Sequence, residues 1–223
     1  MSCTCSGHPR PCSPRRRPPA GVVALAAAAG AALVVWTLRA RALRWGSLPS
    51  ERTARLPGDD LLPSADLVAT RAITIDAPQQ AVWPWVVQLG QGRGGFYSYD
   101  ALENLVGCDI HSADVVVPQW QDLAVGDPVH LAPRVALEAV VVDPGHALVL
   151  RGAAGATDTP PPYDFTWAFV LRPTPEGRTR LVVRERYRYA GGGVALLVEP
   201  VSWISFVMTR KMLDGIRARA ERP

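Results

Sequence analysis

The densest potential chemistry in the 223-residue chain lies on one extended segment, Thr179 to Tyr189. Alternation puts Leu181, Val183, Glu185, Tyr187 and Tyr189 on one face, and Arg180, Val182, Arg184, Arg186 and Arg188 on the other. The apolar members turn the first face inward, so Glu185 enters an interior beside two phenols. A buried carboxyl resists ionisation unless it is paired, and such groups serve as acids or bases. An Arg from a neighbouring strand or a Tyr hydroxyl would satisfy it instead, and the residues alone leave both open. The arginine face is expected to be solvated, because acids outnumber bases in the rest of this domain.

A second polar concentration runs from Phe96 to Trp120 and holds Tyr97, Tyr99, Asp100, Glu103, Asn104, His111 and Asp114. His111 with Asp100 or Asp114 would make an acid–base pair if they meet, since His titrates near neutral pH and a carboxylate orients it. The competing role is a cap that bonds the loop to a sheet. Glu185 and His111 are thus the catalytic candidates. Candidate ligand contacts add Tyr97, Tyr99, Asp100, Trp120, Tyr187 and Tyr189. Phe165, Trp167, Phe169 and Leu171 share a strand face that would wall a pocket or fill a core. Met208 and Met212 are flexible enough to fit a ligand, or simply pack.

Other motifs narrow the chemistry. Gly90-Gln-Gly-Arg-Gly-Gly95 matches a dinucleotide fingerprint, but a helical pattern precedes it where a strand is required. It reads as a tight loop at a cavity mouth whose Arg93 is available to an anion. Cys3, Cys5 and Cys12 with His8 lack zinc spacing, and Cys108 stands alone, so the main domain has no disulfide. No G-x-S-x-G, H-E-x-x-H or P-loop occurs, leaving hydrolase, zincin and NTPase readings without support. Neither a cofactor nor a metal is expected.

The elements that must position these residues follow from periodicity. Thr70 to Ile75 reads as a strand. A helix over 78–89 is expected to be capped by Asp76 with Gln79 three residues on, and kinked at Pro84. A short helix over 99–106 stops at Gly107. Strands are expected over 128–132, 135–142, 147–151, 165–171 and 179–189, joined by short turns that favour antiparallel pairing. Pro200 opens a long helix to about Ala220, with Ile204, Met208, Met212 and Ile216 along one face.

Charge divides the chain. Residues 1–57 hold nine Arg against the single acid Glu51, a net +8, whereas residues 58–223 sum to −4. The basic excess therefore belongs to the N-terminal region, and a nucleic-acid-binding domain is not supported. Residues 1–20 read as a disordered basic head. Residues 21–38 are uncharged, and as a helix they rise about 27 Å, enough for one transmembrane helix. A cleaved signal peptide ending near Ala40-Arg41-Ala42 is the alternative, and Ser13-Pro14-Arg15-Arg16 resembles a twin-arginine signal. Four Arg precede the span, and Arg39, Arg41, Arg44 and Arg52 follow it, so orientation is tied. Residues 39–66 read as a linker and residues 67–223 as one domain.

This α+β order resembles the helix-grip fold of the START-like (SRPBCC) superfamily, which includes polyketide cyclases/dehydratases and lipid-transfer domains. Thr70-Arg-Ala-Ile-Thr-Ile-Asp-Ala-Pro78, Val82-Trp-Pro-Trp85, the run Gln88 to Asp100, Ile110-His-Ser-Ala-Asp114 and Met208-Thr-Arg-Lys-Met-Leu213 resemble bacterial members without an assigned reaction. The resemblance implies a curved antiparallel sheet wrapped around the last helix, with a hydrophobic pocket between them. The expected role is a membrane-tethered, single-pass binding or transfer module for a hydrophobic small molecule or lipid. Two other readings compete: a cyclase/dehydratase-like enzyme using Glu185 with Tyr187 or His111, and a protein-interaction domain without a ligand.

Overall fold

The computed structural model describes residues 20–152 and 161–222, so the basic head and its cysteines lie outside the described residues. The chain forms two units, residues 1–38 and 39–223. In the first, the described residues enter helix α1 (Ala20–Leu43), where Leu33, Val34, Val35 and Trp36 are exposed. Its last turns belong to the second unit.

The second unit is built on six strands, β1 (Leu67–Ile75), β2 (Pro128–Ala132), β3 (Val135–Asp143), β4 (Ala147–Gly152), β5 (Tyr163–Pro173) and β6 (Thr179–Tyr189). They form one sheet in the order β1-β6-β5-β4-β3-β2, with every neighbour antiparallel. Consecutive strands from β2 onward pair through short turns. β1 closes the other edge against β6, in a register running from Leu67 opposite Tyr187 to Ile75 opposite Thr179. Helices α3 (Gln79–Val87) and α4 (Asp100–Leu105) lie between β1 and β2 in the chain, and α5 (Ala195–Ala220) follows β6. The result is an α+β fold of the helix-grip kind: an antiparallel sheet whose inner face packs on a long C-terminal helix.

The inner face is the main core. Ile73 and Ile75 of β1, Leu148 and Leu150 of β4, Phe169 and Leu171 of β5, and Leu181 and Val183 of β6 meet Met212, Leu213 and Ile216 of α5. Burial of this apolar surface is the driving term for the fold. Gly215 is required where α5 passes the loop after α3, because a Cβ there would run into the Tyr97 carbonyl oxygen.

Two helices begin elsewhere than the sequence suggests. The cap of α3 is Pro78 rather than Asp76. The Gln79 amide instead donates to the carbonyls of Gly145 at 2.9 Å and Leu171 at 3.1 Å, tying the helix start to the β3–β4 turn. α5 starts at Ala195 with Pro200 inside it, since tertiary packing of Val198 and Ser202 outweighs one lost backbone hydrogen bond. Its buried stripe consequently runs through Val198, Ser202, Thr209, Met212 and Ile216. Ile204, expected on that stripe, is 64% exposed.

The segment expected to be a linker is packed on the outer face of the sheet. It contains α2 (Pro49–Thr53), and Leu56 joins Ala72, Val170 and Val182 in a small second core, while Leu62 is fully buried. The arginine face of β6, expected to be solvated, holds this strap. Arg180 donates to both oxygens of Glu51 at 2.7 and 2.9 Å. Arg184, 2% exposed, pairs with Asp59 at 2.5 Å and donates to the carbonyls of Glu51 and Ala54. Arg186 donates to the Leu62 carbonyl at 2.8 and 3.0 Å. A buried guanidinium is tolerable when its donors are filled in this way. Replacing Arg184 with Met takes from Asp59 the nearer of its two arginine partners and strips a donor from three backbone carbonyls, and is expected to cost about 3 kcal/mol. Thermal melting followed by circular dichroism should show a midpoint lowered by about 10 °C. An unchanged midpoint would mean that the strap contributes nothing to the folded unit.

Candidate functional site

β5 and β6 carry the expected inward residues in direct register, Trp167 opposite Glu185 and Phe165 opposite Tyr187. Where these pairs face the middle of α5, the core opens into a cavity of about 200 Å³. Its walls are chiefly Phe96, Leu131, Phe165, Trp167, Met208 and Met212, and its polar edge is made by Ser98, Glu103, Glu185, Tyr187, Ser205 and Thr209. The rings pack on one another, with Trp167 at 4.8 Å from Phe169, Phe165 at 4.7 Å from Tyr187, and Phe96 at 6.2 Å from Trp167 between centroids. The wall is therefore pre-formed rather than collapsed.

Glu185 is 1% exposed and saturated. Arg71 Nη1 donates to it at 2.6 Å, Ser205 Oγ at 2.7 and 2.6 Å, and Thr209 Oγ1 at 3.0 Å. The Tyr187 hydroxyl donates to its other oxygen at 3.2 Å. Arg71 is itself 1% exposed, donates from Nε to the Ala42 carbonyl at 3.1 Å, and lies 5.7 Å from the Phe206 ring centroid. Burial holds the Tyr187 phenol well above its usual value of 10, and the neighbouring Glu185 raises it further. This cluster holds the carboxylate and the phenol in fixed positions, and the raised pKa keeps the phenol protonated near neutral pH.

Glu103, on α4, behaves differently. Ser98 Oγ donates to its Oε1 at 2.7 Å, while Oε2 is shielded from solvent and has no hydrogen-bond partner among the described residues. Burial raises its pKa above the ordinary 4.5, opposed by the Ser98 hydrogen bond and aided by Asp100. Trp167 Nε1 is likewise buried without a partner.

The remaining candidates are placed elsewhere. His111 is exposed and meets Asp109 at 3.2 Å, not Asp100 or Asp114, so it forms no acid–base pair at the cavity. Asp100 caps the loop by accepting from the backbone N–H and hydroxyl of Ser112, and Asp114 pairs with Arg219. Tyr97, at φ +55, is buried against Trp85 and accepts from Gln88 at 2.9 Å. Tyr99 lies under Lys211. Arg93 Nη2 donates to the carbonyls of Trp120 at 2.7 Å and Val87 at 3.0 Å, which ties the glycine loop down, while its Nε is buried without a partner among the described residues. Phe169 is core beneath the cavity, and Tyr189 packs beside Tyr163 away from it.

No family model matches the chain, and no curated protein matches it. Solved structures do. One is a hypothetical protein from Helicobacter pylori, 12% identical, covering 78% of this chain and 100% of that chain at a TM-score of 0.48. Another is a truncated norcoclaurine synthase from Thalictrum flavum, 13% identical, covering 70% of this chain and 94% of that one at 0.46. A third is the di-domain ARO/CYC BexL from the BE-7585A biosynthetic pathway, 15% identical, covering 70% of this chain and 51% of that one at 0.40. The helix-grip description stands on the sheet order and on α5 across its inner face.

Arg71→Met leaves Glu185 as an unpaired buried charge and is expected to cost about 3–5 kcal/mol in urea unfolding, whereas Arg71→Met with Glu185→Leu restores most of that loss. Additive losses would refute the coupling. Glu103 gives a pH signature. Between 4.5 and its raised value the folded chain keeps a proton that the unfolded chain has released, so its contribution to stability falls as pH rises through that window. Stability of the wild type minus that of Glu103→Gln should therefore decline from below pH 4.5 to a plateau above the window. A flat difference would contradict it.

Proposed function

We propose that the domain binds a ring-sized, mainly apolar small molecule in the cavity between β5, β6 and α5, while residues 21–38 tether the chain to a membrane. The cavity carries this reading, because an aromatic and methionine wall is held open around about 200 Å³. An apolar cavity of roughly 150 Å³ accepts benzene, and drug-sized ligands need roughly 300 Å³ or more. A one-ring or compact two-ring molecule fits that scale. Cyclase-like chemistry by Glu185 with Tyr187 or His111 has weaker support, since Glu185 is committed to four donors and His111 lies outside the cavity. A ligand-free interaction domain would not need the opening in its core.

The membrane part rests on the uncharged stretch within α1. Residues Gly192–Ala220 also have the length and composition to cross a bilayer. Met212, Leu213, Ile216 and Ala220 are buried in the domain core, which supports reading the C-terminal half of α5 as a core helix, whereas Leu196, Leu197, Ile204 and Val207 in its first half are exposed. Protein purified in mild detergent is expected to carry a small-molecule adduct in native mass spectrometry, and Met208→Trp, which fills the cavity, should remove it. Absence of any adduct, together with no displacement by added aromatic compounds, would sink the proposal.

A further inference from the structure

Resting on that binding reading, we infer that the ligand is hydroxylated, and that Glu103 and Trp167 are the residues that select its hydroxyl. The cavity contains two kinds of polar group. Those around Glu185 are committed to one another, and the one unpartnered donor of that cluster, Arg71 Nη2, belongs to a residue that does not line the cavity. Glu103 Oε2 and Trp167 Nε1 are different, being shielded from solvent and lacking any partner among the described residues. Such orphans are rare in folded proteins, because each forfeits a hydrogen bond that water would have supplied in the unfolded chain.

Their chemistry is complementary. The indole N–H can only donate, and the free carboxylate oxygen accepts. A hydroxyl answers both needs, accepting from one and donating to the other, whereas a purely hydrocarbon ring answers neither. The two residues approach the same small space from different elements. Trp167 stands on β5, and Glu103 stands on α4, which is held to the Phe96–Ser98 loop by the Ser98 hydroxyl. Phe96 in that loop packs on the Trp167 ring. Both side chains line the cavity of about 200 Å³, so a ring lodged there is in reach of both walls.

The test uses the full chain in lipid nanodiscs and fluorine NMR titration with 4-fluorophenol and fluorobenzene, subtracting partition into empty nanodiscs. The phenol is expected to bind about tenfold more tightly or better, the scale of one to two hydrogen bonds made in a dry site. Glu103→Leu and Trp167→Phe should each shrink the phenol-to-fluorobenzene ratio several-fold, and either variant suffices if the other fails to fold. Equal binding of the two probes would overturn the inference while leaving the apolar cavity standing as a binding site. A ratio unchanged in both variants would also overturn it. Binding of neither probe overturns the binding reading and this inference with it.

Discussion

The fold is organised around a buried ion pair. Arg71 and Glu185 stand on adjacent strands at the inner face, two residues out of direct register, and both are almost wholly withdrawn from water. Two charges in such a place are tolerated only with good geometry and with their remaining donors and acceptors filled. Ser205 and Thr209, one turn apart on α5, and the Tyr187 hydroxyl meet that condition for Glu185, while Arg71 Nη2 stays buried without a partner among the described residues. The pair therefore sets where α5 can sit: a slide of one residue would move two hydroxyls off the carboxylate. The cavity exists beside this fixed point, where Met208 and Met212 leave the sheet face incompletely filled. An ion pair of this kind specifies an arrangement more than it adds stability, since an apolar pair of similar volume would often be at least as stable.

The outer face solves a parallel problem with the same residue type. Arg184 is buried and Arg186 largely covered by the strap over residues 46–63, and their guanidinium donors are filled largely by backbone carbonyls. Carbonyls at the ends of short helices and in turns are left without partners by the local structure, so an arginine reaching in from the sheet meets a need on both sides. β6, flanked by β1 and β5, is thus covered on both faces, and without the strap its outer face would meet water. The strap and α5 grip the same strand from opposite sides.

Much of this was legible in the sequence. The six strands appear where alternation put them, and β6 agrees to the residue. The inward face of β6 was readable because Leu181 and Val183 fix its parity. The partner of Glu185 was readable by the same rule and passed over: Arg71 shares parity with Ile73 and Ile75, which places it on the buried face of β1. Ser205 and Thr209 gave a similar signal, two hydroxyls four residues apart beside an apolar stripe. What periodicity could not supply was pairing at long range. Nothing local distinguishes a solvated arginine face from one covered by a segment more than 120 residues away, and the Gly, Pro and charge content of that segment imitates a linker. Glu103 was equally opaque, because its burial depends on how α4 folds back over β5.

One guanidinium also joins the cavity to the chain's beginning. Arg71 bonds Glu185 through Nη1 and the carbonyl of Ala42, in the last turn of α1, through Nε. The guanidinium is planar and rigid, so these two bonds cannot be adjusted independently. Because both bonds come from one side chain rooted in β1, the last turn of α1 and the carboxylate at the cavity's edge share a single anchor in the sheet.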